Sequence, residues 1–173
     1  MPTPTPLRAA LLTAALLATS CATSSQLVED RLLDAAGVAA VELGTVRLDY
    51  AQWSKQDAKV LDKAKQQESA WTKALGDAFL ARANKRGLGN GTDRVRVDIT
   101  VVDLDPGSQA ARYFVGFGAG TGRISAQVDV AGHGSFRMNA KITGGAWGGG
   151  FEGVLEELGA SAANHLADAR QRK

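Results

Sequence analysis

The sequence predicts an α+β domain: a mostly antiparallel sheet of about four strands with two helices packed on one face, in the order β-α-β-β-β-α. Three observations carry that expectation. Three segments alternate apolar and polar residues with period two, two longer segments repeat apolar residues at helical spacing, and glycine-rich stretches mark the boundaries. The 173 residues, 22% charged and 45% hydrophobic with a formal net charge of +2, suit one globular domain and argue against a disordered tail or a nucleic-acid-coating protein. One cysteine, Cys21, can build neither a disulfide framework nor a four-thiolate zinc site.

The chain opens with a cation at Arg8, an apolar run over residues 9–18, and small residues before Cys21. Ten residues in a helix rise about 15 Å, half of the ~30 Å hydrocarbon core, so the run reads as a secretory signal peptide and not as a membrane span. The sequence Ala18-Thr19-Ser20-Cys21 resembles the lipobox of bacterial lipoproteins, in which the cysteine is acylated and becomes the mature N-terminus, although Ala18 stands where leucine is usual. This divides the chain into a signal peptide (1–20), a lipidated Cys21 with its tether (21–37, with a helical turn within 27–36), and one periplasmic domain (38–173). Ala22 follows the cysteine where inner-membrane retention prefers aspartate, which implies the outer membrane, with palmitate-type chains holding the protein there.

Residues 38–48 form the first expected strand, whose apolar parity switches between Leu43 and Val46, so a bulge at Gly44 would restore the inward phase. Residues 57–86 carry Val60, Ala64, Trp71, Leu75, Ala78 and Phe79 at helical spacing and end at Gly87, the signature of one amphipathic helix with a C-terminal glycine. Val95, Val97, Ile99 and Val101 alternate with polar residues, as do Ile124 to Val130 and Phe136 to Ile142. The last two segments are expected to join through a Gly132-His133-Gly134 loop, placing Asp129 opposite Arg137, Gln127 opposite Asn139 and Ser125 opposite Lys141. After the glycines of residues 144–150, residues 152–170 repeat Val154, Leu155, Leu158, Ala162 and Leu166 as a second helix.

Candidate chemistry is sparse. Glycines alternate through residues 116–122, but Thr121 and Arg123 occupy the places where a third dinucleotide-binding glycine would fall, and the segment leads into a strand. His133 is expected at a solvated hairpin tip, and His165 has Asp168 three residues on, a weak metal signal. Asp103 and Asp105 precede Pro106-Gly107 and read as turn carboxylates. No nucleophile-elbow, zinc-protease, nucleotide-loop or calcium-loop motif occurs, so the reading assigns no catalytic residue, metal or cofactor. Arg94, Arg96, Arg123, Arg137 and Lys141 share the expected outer sheet face, a candidate surface for an anionic partner or simply a solvated face. Trp147, set among glycines, is either an interface anchor or packs under the second helix.

The run over residues 107–120, GSQAARYFVGFGAG, resembles the signature of the bacterial family called domain of unknown function 4410, followed here by Asp129-Val130-Ala131-Gly132 and the glycine-rich 144–150. In that resemblance the motif positions are Gly107, Arg112, Gly116, Gly118, Gly120 and Gly122. Membership implies an envelope protein, often a lipoprotein, without an established activity. The expectation is therefore a lipid-anchored, non-enzymatic module that binds an envelope protein or assembles with itself, the alternatives being a small-ligand or lipid binder using the glycine loop, or an envelope hydrolase.

Overall fold

Strand alternation buries Val97, Ile99 and Val101 on one side of their strand, and Ile124, Ala126, Val128 and Val130 meet them from the next. The computed structural model that shows this describes residues 22–32, 34–53, 58–105, 122–143 and 150–172. Its elements are β1 (Ala22–Leu32), β2 (Ala40–Leu48), a short 3-10 turn (Tyr50–Gln52), α1 (Ala58–Lys85), β3 (Arg94–Asp105), β4 (Gly122–Val130), β5 (Gly134–Thr143) and α2 (Gly150–Gln171). The sheet runs β1-β5-β4-β3-β2. Every neighbouring pair is antiparallel except β2 and β3, which α1 joins as the crossover that a parallel pair needs.

Both helices cover one face. Ala64, Trp71, Leu75 and Phe79 of α1 and Val154, Leu155, Leu158, Ala162 and Leu166 of α2 are buried in one core with the inward strand residues. The expected end of α1 is built as a Schellman motif: Leu88 N–H donates to Ala83 O at 2.9 Å and Gly87 N–H to Asn84 O at 3.1 Å, with Gly87 at φ +74°. Leu88 is itself fully buried, so the cap also fixes where the chain turns back to the sheet.

The sheet has five strands among the described residues, not about four. The segment 22–32, expected as a tether with a helical turn, is instead the edge strand β1, paired with β5 from Ala22 opposite Thr143 to Leu32 opposite Gly134. The expected bulge in β2 is present, since the register with β3 shifts between Leu43 and Val46. A Cβ on Gly44 would lie 2.3 Å from Asp98 Oδ1, so the glycine there also makes room for that carboxylate. A second bulge, between Val101 and Asp103, extends β3 beyond its expected end and returns Leu104 to the core.

The β4–β5 hairpin differs from its expected register by two residues. Its loop is Ala131-Gly132-His133, closed by His133 N–H donating to Val130 O at 2.9 Å, with Gly132 at φ +77°. Asp129 therefore faces Ser135, Gln127 faces Arg137, Ser125 faces Asn139 and Arg123 faces Lys141. A two-residue shift preserves parity, so every side chain keeps its expected face. Gly134 is fixed by the same geometry: it sits at φ +107°, and a Cβ there would lie 2.2 Å from Arg31 O on β1.

Candidate functional site

Two regions carry concentrated polar chemistry: the outer face of the sheet, opposite the helices, and a polar seam between β1 and α2. On the outer face, Arg96 is held on both Asp98 oxygens at 3.0–3.1 Å and on Thr45 Oγ1 at 3.1 Å, while Thr45 N–H donates to Asp98. Arg96 first, and the Thr45 backbone second, hold the Asp98 carboxyl below the usual carboxylate range. Arg123 reaches Asp103 at 3.7 Å, and Arg94 meets the Gly91 carbonyl at 3.4 Å. Arg137 lies in register between Gln127 and Glu29, and not on Asp129, whose neighbour is the Gln127 amide at 3.5 Å.

The corrected register brings two of the five expected cations together. Arg123 and Lys141 are direct cross-strand partners, an unfavourable like-charge pair for the sheet, and Lys141 is paired on its other side with Ser24 of β1. The two cations thus sit at the end of the sheet where β1 begins. Arg96 is neutralised locally by Asp98, so it is a structural ion pair of the β2–β3 edge and not a free binding group.

The seam between β1 and α2 was not legible as a site. Glu157, Ser161 and His165 recur every four residues on α2, and the inward face of β1 meets them with Ser25 and Asp30. Ser161 Oγ donates to Glu157 Oε1 at 3.0 Å, and Ser25 Oγ donates to Ser161 Oγ at 2.5 Å. His165, with 8% of its side chain exposed, lies against the Phe136 ring with centroids 4.7 Å apart. Its Nε2 is 3.1 Å from Asp30 Oδ2 but is not aligned for a directed hydrogen bond. The expected His165–Asp168 pair is replaced by this contact, because Asp168 points to Arg86 at the end of α1.

Burial is the largest influence on His165 and lowers its pKa from the ordinary imidazole value. Arg172 adds to that effect, while Asp30 and Asp168 oppose it without reversing it.

The remaining candidates are separated. His133 does not stand free at the hairpin tip, since its Nδ1 contacts the Asp34 carbonyl oxygen. Asp103, on Arg123, is at the opposite end of the sheet from His133, so these two do not converge. Among the described residues no three histidine, cysteine or acidic side chains are grouped to hold a metal ion, and no helix is long and apolar enough to cross a membrane. Cys21, Trp147 and the motif residues Gly107, Arg112, Gly116, Gly118 and Gly120 lie outside the described residues, whereas Gly122 opens β4.

A family model described as a domain of unknown function, DUF4410, matches residues 23–168, which begin within β1 and end within α2. The chain belongs to the DUF4410 family. The DUF4410 match therefore takes in the first strand as well as the glycine-rich half that carries the sequence resemblance. Among solved structures, the chain is similar to a PelC dodecamer from Paraburkholderia phytofirmans, at 10% identity over 88% of this chain and 100% of that one, with a TM-score of 0.45. A variant of that dodecamer in another crystal form gives 10% identity, 84% and 98% coverage, and a TM-score of 0.44. No protein of curated function matches the chain.

Proposed function

We propose that this DUF4410 chain is an outer-membrane-anchored periplasmic lipoprotein, a non-enzymatic module that binds an envelope partner or assembles with its own copies. The observation that carries the reading is the position of β1. The sheet begins at Ala22, one residue after the only cysteine, and that cysteine closes a signal-like apolar run. Acylation of Cys21 would then hold the edge of the folded sheet at the bilayer without a spacer, each buried CH₂ of the acyl chains contributing about 0.8 kcal/mol.

The charge arrangement at that end supports the same reading. Lys141 lies beside the start of β1 with Arg123, itself in a loose contact with Asp103, as its cross-strand partner, and anionic headgroups would relieve the like-charge pairing. β3 ends there at Asp105, β4 starts there at Gly122 and β5 ends there at Thr143, so the sequence 106–121, between β3 and β4, and the sequence 144–149, between β5 and α2, both attach to strand ends at the anchored end. Those 22 residues carry one charged side chain, Arg112, and four aromatics, among them Trp147, which we assign as the interface anchor.

Metabolic labelling with a palmitate analogue tests the anchor. The wild-type chain is expected to take up label and sediment with membranes, and Cys21→Ser to do neither. Equal labelling of the two would overturn the lipoprotein reading.

A further inference from the structure

Among the described residues the sheet is open on both flanks, with β1 ending it on one side and β2 on the other. The cross-strand register carries each level of β1 across to β2. Glu29 leads through Arg137, Gln127 and Thr100 to Arg47. In the same way Asp30 leads to Val46, Leu27 to Leu48 and Leu32 to Leu43. An acid on one flank therefore stands level with a base on the other, and leucine stands level with leucine. Charges at a free edge ordinarily turn further strands away, whereas opposite charges at matching heights favour one particular strand.

The backbone phase agrees. Asp49 N–H donates to Val101 O of β3 at 2.9 Å, so by alternation Leu48 and Val46 turn their N–H and C=O to the free side of β2. On the other flank, His133 N–H donates to Val130 O, so Val130 faces Gly134, and alternation along β5 turns Ser135 and Arg137 toward β1. Their partners Arg31 and Glu29 face β5 in return, which leaves Asp30 and Leu32 facing outward. Leu32 N–H is met there by the Asp30 carboxylate at 3.2 Å, a side chain of its own strand. Asp30 and Val46, at one level, thus both present backbone groups outward.

We propose that the β1 edge of one chain pairs antiparallel with the β2 edge of a second copy, Glu29 opposite Arg47 and Asp30 opposite Val46, so that the sheet continues from copy to copy. This rests on the self-assembly branch of the proposed function and names its surface. The strand directions fit a shared bilayer: β1 runs away from Cys21, while β2, parallel to β3, runs toward that end. An antiparallel joint therefore keeps every Cys21 on one side. A β1 paired with another β1 about a two-fold axis normal to the sheet would put the two cysteines at opposite ends. Residues of one level share a face, so the helices of both copies also stay on one side. The joint covers Leu27, 41% exposed, together with Leu43 and Val46, which are only partly buried at the flank of the core.

Cysteine pairing on the full chain in intact cells tests the joint. Residues 29 and 47 of one chain are four strand spacings apart, about 19 Å, too far for a disulfide within the chain. The Glu29→Cys, Arg47→Cys double variant is expected to give a ladder of reducible oligomers under mild oxidation, with the bond mapped by mass spectrometry between residues 29 and 47. Either substitution alone should give no ladder. Both side chains lie on the outer face, Glu29 42% exposed and Arg47 exposed, so the core is untouched. Amine cross-linking of the wild-type chain measures self-assembly itself, and Arg47→Glu, which sets acid against acid, should lower its oligomer yield about fivefold. Wild-type oligomers without a 29–47 bond in the double variant would overturn the joint and leave self-assembly standing. A chain monomeric in both assays would overturn both. An undiminished yield in Arg47→Glu, or a Glu29→Cys dimer as abundant as the product of the double variant, would overturn this pairing of edges.

Discussion

Val128→Asp is expected to remove more than ~4 kcal/mol of stability, enough to leave the chain largely unfolded if its total lies in the usual range of about 5–15 kcal/mol. Val128 is 1% exposed on the helix-covered face of β4, directly opposite Phe136 and Ile99 within the apolar core. A carboxylate at that site must either stay charged without a partner or take a proton and remain unsatisfied. Gln127→Asp, one residue earlier, points the other way, toward Arg137 across the pair, and should change stability by less than ~0.5 kcal/mol. Urea midpoints of the two variants give the comparison. Equal midpoints would mean that the strand faces are assigned wrongly.

Gly159→Ala should destabilise by ~2 kcal/mol or more, even though alanine is the better helix former. A Cβ at Gly159 would lie 2.3 Å from Leu75 O and 3.1 Å from Phe79 N, so α1 and α2 cross with backbone against backbone, and no rotamer change can make room. Gly153→Ala on the same helix meets nothing within 4 Å and should gain up to ~1 kcal/mol from helix propensity alone. Thermal midpoints should therefore move in opposite directions for the same chemical change. Two shifts of the same sign would contradict the crossing.

The strands with an apolar inward face were legible because one face meets aliphatic helix residues, which leaves a period-two pattern at Val97, Ile99, Val128, Phe136 and Met138. β1 was not, for a physical reason: on its inward face Ser25 and Asp30, which meet the polar row Glu157, Ser161 and His165, alternate with Leu27 and Leu32, and the register shift between Leu27 and Glu29 breaks the period, so no continuous apolar side is left to read. The row itself, polar residues four apart beside the Leu155, Leu158 and Leu166 stripe, is the signal that could have shown that α2 has a second buried side. The same parity switch that revealed the Gly44 bulge recurs at Val101, Val102 and Leu104 and marks the second one. Alternation cannot locate a hairpin apex between adjacent glycine-flanked positions, since a loop moved by one residue shifts pairing by two and leaves every face unchanged.

The account rests on β1 being an integral strand directly after Cys21, the residue proposed as the anchor. Native-state amide exchange on the Cys21-acylated chain in vesicles measures that property residue by residue. Those amides of residues 22–32 that point to β5 are expected to be protected from the start of the strand, at neutral pH, and to exchange far more slowly than in an unstructured chain. Exchange of the whole segment at unstructured rates would make it a tether and remove the reason for placing the sheet edge at the membrane.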